Sequence, residues 1–148
     1  MKKKELNIEE IKNLIPHRYP FLLIDKLIDI IPDTSATGIK NVTFNENFFQ
    51  GHFESMSLMP GELIFESMAQ SAGTLVMHSL KKKSKNTSVY LLTVDKAKFR
   101  KPVCPGDVLM NKVEKKQQIK NIWKFSCRSF VNDNLVSQAE ISAIRNTP

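Results

Sequence analysis

An imidazole and a carboxyl group, His52 and Glu66, are the two side chains of this sequence whose types and spacing best suit acid–base chemistry. His52 lies in a segment with loop character, and Glu66 follows the Pro60-Gly61 pair further along the chain. Imidazole has an ordinary pKa of about 6.5, so its neutral form accepts a proton near neutral pH. A carboxyl group among apolar side chains keeps its proton to higher pH and can donate it. The pair predicts a site that removes one proton and delivers another.

A long helix beginning at Pro60 is predicted to carry Glu66. Proline suits the first helical position because its missing N–H would have no partner there. The apolar residues that follow recur at helical spacing on most faces: Leu63, Ile64, Phe65, Met68, Ala69, Ala72, Leu75 and Val76. A helix of this kind is buried, and a buried carboxyl group needs a partner or a proton. We predict a helix over residues 60–82, roughly 34 Å long at 1.5 Å per residue.

Other acids, and ordinary structural roles, compete with this interpretation. Glu62 lies in the first helical turn, where the helix dipole favours its charged form and makes it a poor proton donor. Glu54 follows His52 by two residues and is a candidate to orient or perturb it. Alternatively, His52 is a loop histidine that bonds the backbone, and Glu66 is an acid on the helix surface. Gly61 offers an N–H without a helical partner, suited to a developing oxyanion, although a glycine here also serves as a simple loop residue.

The remaining elements follow from periodicity and turn residues. Asn7 is predicted to cap a short helix over residues 7–14, with acidic residues in its first turn. One helical turn is expected within residues 45–50. The predicted strands are 21–31, 35–44, 87–101, 107–119, 121–132 and 135–146. A long helix with about six mostly antiparallel strands indicates an α+β fold.

Three segments carry a recognisable pattern in a fixed order. The first is PHRYPFLL at residues 16–23, the second is QGHFESMSLMPGELIFESMAQSAG at 50–73, and the third is DKAKFRKPVCPGD at 95–107. Together they resemble the β-hydroxyacyl-acyl carrier protein (ACP) dehydratases of the FabZ type, over essentially the whole chain. The resemblance implies a hot-dog fold, in which a curved sheet wraps a long central helix.

The same resemblance implies an activity and a site. Dehydratases of this type eliminate water from (3R)-3-hydroxyacyl-ACP in type II fatty acid biosynthesis and produce trans-2-enoyl-ACP. His52 would remove the α-proton, Glu66 would protonate the leaving hydroxyl, and the Gly61 N–H would hold the thioester carbonyl. The residues expected to line the substrate channel or position the groups are Tyr19, Phe53, Met59, Pro60 and Gln70. Because the acid is Glu rather than the Asp of FabA-type enzymes, dehydration without isomerisation is expected.

Partners and cofactors also follow from the resemblance. It implies a homodimer in which His52 of one chain meets Glu66 of the other, often assembled as a trimer of dimers, a hexamer. No metal or redox cofactor is expected, because the ACP phosphopantetheine arm carries the substrate. The loop before Tyr19, with His17 and Arg18, is expected near the substrate channel; a plain turn after the first helix is the alternative.

The sequence departs from the family pattern directly after Phe53. The family has Pro-Gly-x-Pro there, whereas this chain has Glu54, Ser55, Met56 and Ser57. Loss of the prolines predicts a less rigid loop beside His52. This departure motivates one alternative, a catalytically weak acyl-ACP binding protein. Another is a hot-dog thioesterase, which would use a carboxylate and a helix-start oxyanion pocket with water as the nucleophile.

Charge favours an acidic partner. The chain has a net charge of +7 and an isoelectric point near 9.5. The basic residues predicted to dock ACP are Lys81, Lys82, Lys98, Arg100 and Lys101, although a solvated face also explains such clusters. A nucleic-acid-binding module is motivated by charge alone, because no recognition motif is present and only one Trp and two Tyr are available for stacking.

Length and the remaining motifs set further bounds. The 148 residues are expected to form a single domain over 1–148. No apolar run approaches the roughly 18 residues of a membrane helix, and no apolar region follows the basic N-terminus. We therefore expect a cytoplasmic protein that does not insert into a membrane. Cys104 and Cys127 are predicted to be free thiols, and with three histidines a metal site is not expected.

Overall fold

The sheet and its central helix are seen in a computed structural model that describes residues 5–81 and 88–146. The elements in chain order are α1 (Ile8–Lys12), β1 (Lys26–Ile31), β2 (Ser35–Asn41), a 3₁₀ turn (Asn47–Gln50), α2 (Gly61–Ser79), β3 (Ser88–Phe99), β4 (Val108–Ile119), β5 (Ile122–Val131) and β6 (Asn134–Asn146). The six strands form one sheet in the order β1-β2-β4-β5-β6-β3, and every pairing is antiparallel. The predicted α+β hot-dog architecture is therefore confirmed.

The helix α2 is the centre of the core. Thirteen of its nineteen residues are buried, which agrees with the apolar stripe that continues around most of its faces. The inner face of the sheet supplies alternating buried side chains, among them Val113, Trp123, Phe125 and Ile141. The helix begins directly after Pro60, which is its N-cap, and ends at Ser79, three residues before the predicted end. Residue 82 lies outside the described residues.

Buried polar contacts fix how α2 sits on the sheet. Asn111 of β4 donates its side-chain N–H to Ser67 Oγ at 2.7 Å and accepts from Ser129 Oγ at 2.6 Å. Gly38 of β2 allows the close approach of the helix, because a Cβ there would lie 1.9 Å from Ser71 Oγ. These directional contacts specify one rotation of α2, and that rotation decides where the side chain of Glu66 lies.

The prediction of a strand over 21–31 was wrong in its first half, because β1 begins only at Lys26. The backbone of the preceding segment bonds to side chains of α2 instead. The Leu23 N–H donates to Gln70 Oε1 at 2.7 Å, and Ser67 Oγ donates to the Leu23 carbonyl at 2.7 Å. Backbone groups satisfied in this way cannot also pair in a sheet. The segment is thereby anchored beside the helix turn that carries Glu66.

The other element predictions differ from the structure only at their ends. The strand predicted over 35–44 stops at Asn41, and the later four strands agree within two residues at each end. The first helix covers 8–12 rather than 7–14, and Asn7 caps it as predicted, within a capping box formed with Glu10. The helical turn expected within 45–50 is the 3₁₀ turn.

The strand β3 forms one edge of the sheet and is strongly exposed. Ten of its twelve residues are exposed, and the large apolar ones are Tyr90, Leu91, Leu92, Val94 and Phe99. Its inner edge pairs with β6, and within the described residues no strand pairs with its outer edge. An exposed apolar edge strand is a ready template for pairing with another chain.

A buried ion pair holds the segment that leads from β2 to His52. The Lys40 ammonium group contacts Glu46 Oε1, and Glu46 Oε2 accepts the Thr43 N–H at 2.9 Å. Lys40→Met should lower the free energy of unfolding by about 3 kcal/mol, since it leaves a largely buried carboxylate without its cation. Urea denaturation measures this loss. Lys116→Met removes an exposed partner of Glu114 and should leave the urea midpoint nearly unchanged. Equal losses in the two variants would contradict the argument.

Candidate active site

The position of His52 is set by the loop that follows it. Its Nδ1 lies 2.8 Å from the Leu58 carbonyl oxygen, which can only accept a hydrogen bond. Nδ1 therefore carries the hydrogen in the neutral ring, and Nε2 is left with a free lone pair. The Phe53 ring stacks on the imidazole with centroids 4.0 Å apart. The loop thus presents a half-buried imidazole whose Nε2 can accept a proton.

The departure from the family pattern at 54–57 leaves a closed turn beside this histidine. The Phe53 N–H donates to the Met56 carbonyl at 2.8 Å, and the Met56 N–H donates back to the Phe53 carbonyl at 3.3 Å. Backbone hydrogen bonds thus define the turn where the family uses proline. Among the described residues, Glu54 and Glu62 are exposed and make no hydrogen bond or ion pair with His52.

A cavity of about 260 Å³ joins His52 to the start of α2. Gly61 and the buried Met59 line it as well. Pro60 caps the helix without any side-chain hydrogen bond, and the N–H groups of Gly61 and Glu62 have no partner among the described residues. The Phe99 ring lies so close that a Cβ on Gly61 would come within 2.2 Å of it. Free amides at a helix start favour a negatively charged oxygen at this position.

Glu66 lines a second cavity, of about 230 Å³, between α2 and β3. Its Oε2 accepts the Gln70 side-chain N–H at 3.0 Å and lies 3.5 Å from His17 Nε2. Burial raises the pKa of Glu66, and the Gln70 hydrogen bond opposes that rise in part. Glu66 therefore keeps its proton to higher pH than an ordinary glutamate and can act as an acid.

Gln70 connects this acid to the preceding segment of the chain. Its side-chain nitrogen donates to the Phe21 carbonyl at 2.8 Å as well as to Glu66, and its oxygen accepts the Leu23 N–H. The three hydrogen bonds use the donors and acceptor of a fully buried amide. Gln70 therefore holds the carboxyl group in a fixed orientation.

Comparison with known proteins places the chain in a family. Residues 15–140 match the family model of the FabA-like domain. The 3-hydroxyacyl-[acyl-carrier-protein] dehydratase FabZ of Gluconobacter oxydans is 51% identical over 141 residues, which cover 95% of this chain and 83% of the relative. The FabZ of Sinorhizobium medicae is 50% identical over 138 residues, covering 93% and 88%. This chain belongs to the FabZ-type dehydratase family.

Solved structures with low sequence identity show the same fold. A chain of the dehydratase heterocomplex ApeI:P from Xenorhabdus doucetiae aligns with a TM-score of 0.77 at 16% identity, covering 93% of this chain and 90% of that one. The virulence protein Cj0977 from Campylobacter jejuni aligns with a TM-score of 0.67 at 16% identity, covering 95% and 92%. At such identities the likeness concerns the hot-dog fold alone.

The FabZ-type motif at 16–23 brings His17 close to Glu66; sequence analysis expected the loop of His17 near the substrate channel but did not predict this contact. Tyr19 was predicted to line the channel, yet 81% of it is exposed in the single chain, and its role stays a prediction. His17 of the same motif lines the Glu66 cavity instead. Burial lowers the pKa of His17, and the neighbouring Arg18 lowers it further. No local pattern signals this contact, because it joins positions far apart in sequence.

Within one FabZ-type chain, His52 and Glu66 line two different cavities. His52 lies with Gly61 on one side of the helix start, whereas Glu66 lies between α2 and β3. The two cavities have no lining residue in common. One chain therefore places the His52 imidazole and the free amides at one position and the Glu66 carboxyl group at another.

The basic residues predicted to dock ACP are distributed unevenly. Arg100 and Lys101 line the His52 cavity, and the Arg100 Nε–H donates to Gln138 Oε1 at 3.1 Å. Lys81 and Lys98 are exposed. Lys82 lies outside the described residues. Two of the predicted cations thus lie where a ligand entering this cavity would pass.

The described residues also bear on membrane-spanning and metal-binding classes of site. No helix among them is long and apolar enough to cross a membrane. Over 5–81 and 88–146, no three His, Cys, Asp or Glu side chains cluster as metal ligands. Cys104 and Cys127 are free thiols, and Cys127 is buried.

Proposed function

We propose that this chain eliminates water from (3R)-3-hydroxyacyl-ACP to give trans-2-enoyl-ACP, in type II fatty acid biosynthesis. Close relatives over nearly the whole chain are named as FabZ dehydratases, which supports this activity. The observation that carries the mechanism is the pair of complementary groups: a histidine with a free Nε2 beside unpaired helix amides, and a glutamate whose pKa is raised by burial.

The elimination divides between these groups. His52 Nε2 takes the α-proton, and the electron pair of the broken C–H bond moves towards the thioester carbonyl. The Gly61 N–H stabilises the negative charge that develops on that oxygen. The electrons then return to form the Cα–Cβ double bond, the C–O bond at Cβ breaks, and Glu66 protonates the departing hydroxyl to give water. These residues supply both proton transfers, so we propose that no metal or redox cofactor takes part.

The catalytic unit in this proposal is a homodimer. Because His52 and Glu66 line separate cavities, a site that uses both needs a second chain or a large rearrangement. The exposed apolar β3 edge offers a surface for such pairing, antiparallel with β3 of a second copy. His52 of one chain would then face Glu66 of the other. Three such dimers would form the hexamer that the family resemblance implies.

The proposed partner is an acyl carrier protein in the cytoplasm. An acidic carrier suits the net charge of +7, and Arg100 and Lys101 lie beside the His52 cavity, where the phosphate of a phosphopantetheine arm could pair with them. Lys81, Lys82 and Lys98 are the further docking candidates. The thioester would enter between these cations and the start of α2.

Hydration of crotonoyl-ACP, the reverse reaction, tests the activity. We expect the conjugated enoyl absorbance to fall without release of free thiol. Free thiol would instead identify a thioesterase, whose carboxylate and helix-start amides would serve a water nucleophile. Binding of ACP without loss of absorbance would identify a silent acyl-ACP binding protein and reject the proposed activity.

A further inference from the structure

The loop between α1 and β1 places an imidazole against the proposed acid. The His17 ring is stacked near Phe21, with centroids 6.3 Å apart, and its Nε2 lies 3.5 Å from Glu66 Oε2. Its Nδ1 is buried and has no hydrogen-bond partner among the described residues. The proposed mechanism gives this residue no part, although its ring is largely enclosed beside the acid.

The orphaned Nδ1 indicates which nitrogen carries the hydrogen. A hydrogen on Nδ1 would bury an N–H donor without an acceptor, whereas a bare Nδ1 leaves only a lone pair unused. The tautomer with its hydrogen on Nε2 is therefore favoured, and it directs that N–H at Glu66 Oε2. A charged ring would again bury an unpaired Nδ1–H, so the same geometry favours the neutral form.

The donors around Glu66 converge on one of its two oxygens. The Gln70 N–H and the His17 Nε2 both approach Oε2, whereas Oε1 has no partner among the described residues. In a protonated carboxyl group one oxygen accepts hydrogen bonds and the other holds the proton. The separation of 3.5 Å is longer than an ordinary hydrogen bond, but such contacts tighten when substrate fills a site.

We infer that His17 is a positioning residue: with Gln70 it reserves Glu66 Oε2 as an acceptor and so directs the transferable proton to Oε1. The inference rests on the proposed role of Glu66 as the acid. It adds a second element, the loop after α1, to the machinery that orients the proton. Oε1 is then the oxygen that faces the leaving hydroxyl of the substrate.

The groups around Glu66 lead to an expected effect of His17 on the pH dependence of the reaction rate. Tyr90 is the other titratable side chain that lines the cavity, and the Arg18 guanidinium beside His17 donates to the carbonyls of Lys12, Ile15 and His17. An N–H donor stabilises the Glu66 carboxylate and so lowers its pKa. Dehydration requires protonated Glu66 and slows as pH rises through the pKa of Glu66. Removal of the His17 donor should therefore move the alkaline limb of the pH–rate profile to higher pH.

Two substitutions separate positioning from packing. His17→Phe keeps a ring beside Phe21 but has no N–H, whereas His17→Gln keeps a side-chain N–H donor at a similar reach. For dehydration of (3R)-3-hydroxybutyryl-ACP, followed by the gain of enoyl absorbance, His17→Phe should lower kcat about tenfold with KM nearly unchanged, the scale of one lost hydrogen bond to a charged group. Its alkaline limb should move up in pH. His17→Gln should recover kcat to within about threefold and keep the wild-type limb. His78→Phe, at the far end of α2, serves as a control that should change neither.

Three results would overturn the inference. The first is a His17→Phe variant with wild-type kcat and a wild-type alkaline limb of the pH–rate profile. The second is a slower His17→Phe variant whose alkaline limb does not move. The third is a His17→Gln variant as slow as His17→Phe, which would show a packing role. An NMR titration of the ¹³C-labelled Glu66 carboxyl group, with its signal assigned by Glu66→Gln, measures the expected rise in the pKa of Glu66 in His17→Phe without any turnover. If Glu66→Gln keeps full activity, the proposed acid is wrong, whereas the NMR titration still shows whether His17 bonds to Glu66.

Discussion

His52→Ala should lower kcat for crotonoyl-ACP hydration by about 10³-fold, within the range that a general base contributes. The variant removes Nε2, which takes the α-proton in dehydration and returns a proton to Cα in hydration. The neighbouring acids Glu54 and Glu62 are not placed to replace it, because among the described residues they make no hydrogen bond or ion pair with His52. Loss of enoyl absorbance, followed at saturating substrate, measures the effect on kcat apart from binding.

The controls for this prediction separate chemistry from folding. The His52 side chain makes one described hydrogen bond, from Nδ1 to the Leu58 carbonyl, so His52→Ala should melt within a few degrees of the wild type. His78→Ala removes a partly buried histidine from the far end of α2 and should keep its activity. Retention of more than about a tenth of wild-type kcat by a folded His52→Ala protein would exclude His52 as the base.

The fold follows from the sequence wherever one local pattern dominates. The apolar stripe along α2 predicts its burial, and the turn residues Asn132 and Asp133 both adopt positive φ, 50° and 64°, between β5 and β6. The segment 21–25 escapes this reasoning. It resembles a strand in composition, yet its backbone is satisfied by Gln70 and Ser67, more than forty positions away. Only the packed helix makes that alternative available.

For the site, too, the sequence predicts the residue types but not their geometry. The sequence identifies an imidazole and a carboxyl group as candidates, and it places unpaired amides at Gly61. It does not show that the Leu58 carbonyl selects the tautomer of His52, or that donors converge on one oxygen of Glu66. These relations depend on loops brought together by the rotation of α2 on the sheet. Residue types thus predict which groups can transfer protons, whereas the ring nitrogen or carboxyl oxygen that does so is determined by the tertiary structure.

The separate cavities of His52 and Glu66 lead to the second large effect. His52→Ala and Glu66→Gln are each expected to be nearly inactive, because Gln can neither protonate the leaving hydroxyl nor take a proton from water in the reverse reaction. When the two inactive chains pair, the heterodimer contains one site with both native residues and one site with neither. Random pairing makes half of the dimers mixed, so a co-expressed mixture should recover about one quarter of wild-type activity.

This recovery distinguishes a shared site from one confined to a chain. If each chain held a complete site, mixing would leave every site defective, and the mixture would stay as inactive as its components. Pairing His52→Ala with a His52→Ala/Glu66→Gln double variant supplies the control, since no native histidine is then present and no activity should return. Recovery in the first mixture alone requires that His52 of one chain serve Glu66 of another. Because these residues line separate cavities in the single chain, such a result would make dimerisation part of the catalytic mechanism itself.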